Sequence, residues 1–338
     1  MGSDAVRSVA VVVTSIFEPT VALQEIARQC IDKGFQFIVV GDEASPSSFS
    51  LKGCQFHSLT EQIESDFEFA KLCPVKKYSR KNIGYLLAAC QGAEIILETD
   101  DDNIPYTDFG ALRERCQSVP QIESKGWINA YRYFTDALIW PRGLPLDQVN
   151  CLVPDFDSLE THPVDCPIQQ GLADDNPDVD AIYRLILPLP LKFRKDRRIA
   201  LGSGSWCPFN SQNTTWWKDA FPLLYLPTYC SFRMTDIWRS LVAQKIAWAN
   251  GWSILFHEPT VRQERNEHDL MKDFRQEIDG YVRNRELGNL LENISCKSGV
   301  EAIPGNLLRC YEKLADESFV DKKEIDLLQA WLLDLDKY

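Results

Sequence analysis

The most restrictive feature of this chain is the rhythm of its first hundred residues, where apolar β-rich runs alternate with helical stretches across short connections. Ser8 to Phe17 (SVAVVVTSIF) reads as a strand buried on both faces, because a run with no polar alternation leaves no face for water. Pro19 and Thr20 stop it and open VALQEIARQCIDKG, a helix that Gly34 ends. FQFIVVGD is a second strand stopping at Gly41-Asp42, CQFHSLT a short third, RKNIGYLLAACQGA a helix and EIILETDDD a further strand. This β-α-β-β-α-β order predicts an α/β fold, a Rossmann-like, mostly parallel sheet with helices on both faces. Ligands of such sheets gather beyond the carboxyl ends of the strands. Asp42 and the run Asp100-Asp101-Asp102 both fall there.

The pattern loosens from Gly126 to Asp180 into prolines and short strands such as WINAYRYF. DNPDVDAIYRLILPLPLKFR reads as a turn that becomes extended. YLPTYCSFRMTDIWRSLVAQKIAWANG reads as a loop entering an amphipathic helix with Ile237, Leu241, Ile246 and Trp248 on one side. WSILFHEP is a last strand, ended by Pro259. Beyond Asn266 the composition turns helical and charged. The expected organisation is one α/β domain over 1–265 and a helical extension over 266–338.

Three successive acids on one bend repel one another unless something positive sits beside them. Asp100 and Asp102, two apart at a strand's end, would project to the same side and suit a divalent cation such as Mn²⁺ or Mg²⁺, which binds carboxylates together with phosphate oxygens. The same run reads otherwise as a solvated turn or a helix cap. KKYSRKNIGY places Lys76, Lys77, Arg80 and Lys81 one helix upstream, where Arg80 and the turn opened by Asn82 would face a diphosphate on that cation; alone, the cluster reads as a solvated helix start. Asp42 suits a base or ribose, or a turn; Thr14 and Ser15 divide the same way. In RMTDIWRS, Arg233, Asp236, Trp238 and Arg239 could orient a sugar, the ring on the indole and its hydroxyls on the acid, or Asp236 could cap the helix. His257 and His268 are candidates for a third metal ligand or ordinary polar contacts.

The formal charge of −13 excludes the basic footprint of a nucleic-acid binder, while a few local cations could still hold an anion. Eleven cysteines with no C-x-x-C pair read as free thiols in a reducing compartment. The first strand pattern starts at about Ser8, so no signal peptide is expected, and no apolar run approaches the roughly 18 residues of a membrane span. The sequons at Asn213 and Asn293 matter only in a secretory lumen.

VVVTSIFEPT, VVGD, RKNIGYLLAACQGAEIILETDDDN, WPRGLPLDQV, DVDAIYRLILPLPLKF, PFNSQNT, LYLP, RMTDIWRSLVAQ and QERNEHD occur in that order. Together these nine blocks, over about residues 8 to 280, resemble the STELLO (DUF288) family of glycosyltransferase-like proteins. RKNIGYL…DDDN and RMTDIWRS are more weakly similar to the reversibly glycosylated polypeptides, which include UDP-arabinopyranose mutases. The resemblance implies a GT-A fold whose D-x-D motif holds Mn²⁺ or Mg²⁺ against a nucleotide diphosphate. Carried over, Asp100 and Asp102 are the D-x-D acids and Asp101 their neighbour. Arg80, Lys81 and Asn82 face the donor, Asp236 lies near the acceptor or donor sugar, and His268 sits in the block after the core.

The function expected is metal-dependent transfer of a sugar, from a UDP-sugar or another nucleotide-diphosphate sugar, to an acceptor hydroxyl, with Asp236 as the proton acceptor. The alternatives are a non-catalytic scaffold assisting polysaccharide synthase assembly and a nucleotide-sugar mutase or self-glycosylating protein. No nucleic-acid partner and no membrane span are expected, and a homo-oligomer stays open. The expected location is cytoplasmic as given, or the Golgi lumen if an N-terminal anchor has been removed.

Overall fold

The computed structural model describes residues 8–111, 113–265 and 269–338. The chain begins β1 (Val9–Thr14), α1 (Val21–Lys33), β2 (Gln36–Val40), β3 (Gln55–His57), α2 (Leu59–Ile63), α3 (Glu68–Leu72), α4 (Lys81–Cys90) and β4 (Ile95–Thr99). It continues β5 (Asn103–Pro105), β6 (Cys116–Ile122), β7 (Gly126–Trp127), β8 (Thr161–Asp165), β9 (Ile168–Asp174), α5 (Ala181–Ile186), β10 (Arg198–Leu201), β11 (Ser205–Trp206) and β12 (Asn213–Trp217). It closes with α6 (Thr235–Ala249), β13 (Ile254–Gln263), α7 (Leu270–Glu292), α8 (Ile303–Asp316) and α9 (Glu324–Leu335).

The main sheet runs β3-β2-β1-β4-β12-β9-β13-β10-β6-β8, with β5 on the side of β13. The expected α/β architecture forms. Its parallel character belongs to β3, β2, β1 and β4, while β12 enters antiparallel and the second half is mixed. Alternate residues of β1 serve two cores, as strand geometry requires. Val9, Val11 and Val13 pack on Leu23 and Ile26 of α1, whereas Ala10 and Val12 join the larger core that α4, α6, α8 and α9 cover.

The first helix begins and ends as its sequence dictates. Thr20 Oγ1 accepts the Leu23 amide at 3.1 Å, and Gly34 closes the helix at φ 68°, where a side chain would be strained.

Other expectations need correction. WINAYRYF is not a strand beyond Gly126–Trp127; Ala130–Tyr133 turns as a 3₁₀ helix with its tyrosines buried. The stretch expected to be extended after Asp180 opens with α5, because the Asp180 side chain accepts the Tyr183 amide and caps it. The helix α6 is buried almost all round rather than amphipathic, packing on α7 and α8 and, through Arg239, on Glu98 of β4. Pro259 does not end β13. The pairing of β13 with β9 shifts register between His257 and Val261, and a proline that cannot donate to a ladder is tolerated in such an irregularity. The strand therefore reaches Gln263 beside Asn103.

The described part of 266–338 forms α7, α8 and α9, and Leu287, Leu291, Leu307, Leu314, Leu328 and Trp331 sit in the same core as α4 and α6. Two buried acids fasten α9. Glu324 accepts the amides of Thr228 and Tyr229, and Asp334 accepts that of Phe69 at 2.8 Å.

The close approach of α4 to the sheet depends on Gly84, where an added Cβ would lie 2.5 Å from Val12 Cγ1 and 2.8 Å from Val40 Cγ2. Gly84→Ala is expected to lower stability by about 1–2 kcal/mol, since overpacking outweighs the helix-propensity gain. A denaturant titration showing unchanged or greater stability would contradict this packing.

Candidate functional site

Because β2, β1 and β4 lie side by side and parallel, their carboxyl ends form one edge: Val40-Gly41-Asp42, Thr14-Ser15 and Thr99-Asp100. Beyond that edge opens a cleft of about 450 Å³, within the range of small-molecule sites. Thr14, Ser15, Asp42, the three acids Asp100 to Asp102, Arg142, Arg233 and Asp236 are among its lining.

The acids do not project from a continuing strand. β4 stops at Thr99, and residues 100–103 form a tight turn closed by the Asn103 amide on Asp100 O at 3.2 Å. The buried Asn103 side chain locks this bend to Thr99 Oγ1 and Gln212 O. Each carboxylate therefore meets a different neighbour. Asp100 accepts Tyr78 Oη at 2.9 Å and Lys81 Nζ at 3.1 Å. Asp101 accepts Ser15 Oγ at 2.6 Å, and Asp102 accepts Gln263 Nε2 at 3.1 Å.

The positive partner demanded by the acidic run is Lys81. Fully buried in the first turn of α4, it also donates to Thr99 O, Tyr78 Oη and Ser211 O. One ammonium does not neutralise three carboxylates. Burial, with repulsion from Asp100, lifts both Asp101 and Asp102 to about 6, against the opposing pull of Ser15 and Gln263.

Asp236 is held differently. Arg142 Nη2 reaches both its oxygens, at 2.9 and 3.1 Å, and Ser211 offers its amide and hydroxyl at 3.3 and 3.4 Å. Burial raises its pKa, but the charge and hydrogen bonds of Arg142, with Arg239 and Arg233, outweigh this and leave it below the ordinary carboxylate range. Met234, not Asp236, stands at the cap position of α6, and Asp236 instead forms part of the cleft wall.

The other expected residues divide. Arg80 lines the cleft but spends its donors on Gln62 Oε1 and Cys73 O. Asp42 is both turn residue and cleft residue, its carboxylate accepting the Glu43 amide at 2.7 Å. Four residues are not brought to the cleft. Asn82 is buried and exchanges hydrogen bonds with the Leu226 backbone. Trp238 is 1% exposed, donates to Asn284 Oδ1 and packs on Phe319, so no sugar can stack on it. Arg239 is buried against Glu98 at 2.8 Å. His257 lies within β13 with Nδ1 on Glu258 O, and burial, then the Arg113 charge, pushes it down to about 3, so it stays neutral. His268 lies outside the described residues.

Arg142, Ser211, Gln263, Arg265 and the half-exposed ring of Phe232 line the cleft without having been expected there. The signal for most of them lay in WPRGLPLDQV, PFNSQNT and QERNEHD, which carry the family resemblance but no chemistry legible along the chain.

The donor set fits a hard divalent cation. Asp100 and Asp102 supply carboxylates, and Gln263 Oε1 beside them is buried with no hydrogen-bond partner among the described residues. Among the described residues no three His, Cys, Asp or Glu side chains converge to enclose a metal alone. Phosphate oxygens and water would complete the shell, as is usual for Mg²⁺.

Fold and site together define an open α/β protein with a lysine-backed acidic bend at its parallel strand ends. The particular relatives are the STELLO glycosyltransferases, whose family model matches residues 233–338. The Arabidopsis thaliana proteins named probable glycosyltransferase STELLO2 and STELLO1 are each 28% identical to this chain over 96% of its length. The resemblance read from the nine blocks therefore holds. The chain spans 44% of the length of those relatives. Among solved structures, a mycobacterial protein aligns at TM-score 0.45 and 10% identity, over 83% of this chain and 74% of that one. The M. tuberculosis glucosyl-3-phosphoglycerate synthase aligns at TM-score 0.42 and 11% identity, over 83% and 81%. Among the described residues no helix is long and apolar enough to cross a membrane, and the eleven cysteines are unpaired.

Proposed function

We propose that this chain transfers a sugar from a nucleotide-diphosphate sugar, a UDP-sugar in the first instance, to an acceptor hydroxyl with the help of Mn²⁺ or Mg²⁺. The observation that carries this reading is the convergence of the acidic bend, backed from beneath by buried Lys81, and Asp236 on one cleft at the β1-β2-β4 edge. Asp100 and Asp102, with Gln263 Oε1, would hold the cation, which neutralises charge on the departing nucleotide diphosphate. Thr14, Ser15 and Asp42 bind the nucleoside, and Lys76 and Lys77, which also line the cleft, hold the diphosphate. In the transfer the bond from the sugar's anomeric carbon to the diphosphate oxygen breaks as the acceptor oxygen bonds to that carbon. Asp236, fixed by Arg142, orients the acceptor hydroxyl and takes its proton. Phe232 supplies the exposed ring that Trp238 does not.

A panel of UDP- and GDP-sugars, with and without Mn²⁺, tests the reading by thermal shift. A ligand at a hundred times its Kd adds about 2.7 kcal/mol to folding stability, and no Mn²⁺-dependent shift with any donor would overturn the proposal.

The acids also predict a pH dependence. Asp101 and Asp102 titrate near 6 in the metal-free fold against about 3.9 when unfolded. The stability they contribute is therefore full below about 3.9 and lost as pH rises through about 6. Cation binding runs the other way, because the carboxylates must release their protons. UDP-Mn²⁺ affinity should fall below about pH 6, by up to about tenfold per pH unit for each proton displaced. Titration calorimetry at pH 5 and 7.5 measures it; equal affinities would refute it.

A further inference from the structure

The cleft wall built by the start of α6 and the end of β13 carries guanidinium groups besides the lysines assigned to the diphosphate. Arg233 donates through Nε to Glu277 Oε1 at 2.8 Å. Glu277 is fully buried, and its second oxygen is occupied by the Ala181 amide and the Tyr281 hydroxyl. It thus fixes Arg233 through Nε at the cleft wall. The Arg233 side chain is only 11% exposed, and its Nη2 is buried with no partner among the described residues. A buried charged donor left unpaired is expensive and calls for a partner that binds there.

Further cations crowd the same wall. Arg265, anchored on Asp273 at 2.9 Å, lines the cleft, and Arg184 stands behind it. Burial and then the Arg233 charge push Arg265 below the ordinary arginine value. Burial and then the Arg265 charge push Arg184 to about 9. The nearby carboxylates are already engaged: Asp178 and Asp236 share Arg142, and Asp180 accepts Trp140 Nε1 and the Tyr183 amide. Arg233 lies three residues before Asp236, and its carbonyl accepts from Arg142. It therefore stands beside Asp236, the residue assigned to the acceptor hydroxyl.

We infer that Arg233, backed by Glu277 and flanked by Arg265, is an anion subsite for a carboxylate or phosphate on the transferred sugar or the acceptor, additional to the diphosphate. This rests on the nucleotide-sugar reading above. Two pairs of probes locate the charge: UDP-glucuronate against UDP-glucose with Mn²⁺, and glucose 6-phosphate against glucose on protein saturated with UDP and Mn²⁺. The wild-type protein should prefer the charged member of at least one pair by about tenfold or more. Arg233→Met should bring that ratio close to one, and Arg233→Lys should keep part of it. Arg233→Met with Glu277→Gln avoids an unpaired buried carboxylate and should behave like the single variant. The inference falls if the wild type shows no preference in either pair, or if the preference survives in both methionine variants. Should the wild type bind no UDP with Mn²⁺, the nucleotide-sugar reading fails on its own. The glucose 6-phosphate and glucose pair on the free protein, wild type against R233M, then still decides the subsite.

Discussion

Asparagine in place of both Asp100 and Asp102 should remove Mn²⁺-dependent UDP binding, lowering affinity by more than about a hundredfold. Changes to residues that merely orient metal ligands cost about 10–100-fold, and these carboxylates would be direct ligands. The informative companion is stability without ligand. In the metal-free fold Asp102 is held above its ordinary pKa by burial and by Asp100, so its charge opposes folding at neutral pH. The amide oxygen of D100N would still accept Tyr78 Oη, while Lys81 keeps Thr99 O and Ser211 O. The double variant should therefore unfold at the same temperature as the wild type or higher, while losing the ligand-induced shift. A scaffold that merely needs the acidic bend for its fold predicts the reverse, a lower Tm and no change in UDP binding.

The second large effect is expected at Asp236. Asp236→Asn should reduce turnover by about 10²–10⁴-fold, the range of a positioned proton acceptor, with the fall in kcat rather than in the KM for the donor. The arginine clamp makes Asp236 a weaker base than an ordinary carboxylate but keeps it ionised and fixed. No acidic limb near neutrality should arise from it. Arg142 retains its bidentate pair with Asp178 in the variant, so the site's frame survives. A D236N protein turning over at the wild-type rate would remove Asp236 from the mechanism.

How much of this site can be read along the chain depends on whether a residue's partner is close in sequence. The acidic bend, the basic knot upstream and Asp42 are legible because periodicity places each at a strand or helix end, and such ends share one edge of a parallel sheet. Trp238 and Arg239 mislead because a helix start exposes some directions and buries others. Trp238 donates to Asn284, 46 residues away, and Arg239 pairs with Glu98, 141 residues away. Arg142 and Gln263 have no local signature at all. Each acquires meaning only from an acid brought to it by the fold.

The alternation of apolar runs by itself determined the layered α/β architecture, since strands with no polar face must be covered on both sides. It also determined where the acids would gather, because parallel strands end together. Tertiary structure alone decided which groups stand opposite those acids. That choice rests on the long-range pairing of β12 and β13 beside β4 and β5, on the register shift that carries β13 past Pro259, and on Gly84 letting α4 bring Lys81 beneath the bend. Burial and charge neutralisation are properties of neighbours in space, and linear spacing does not encode them.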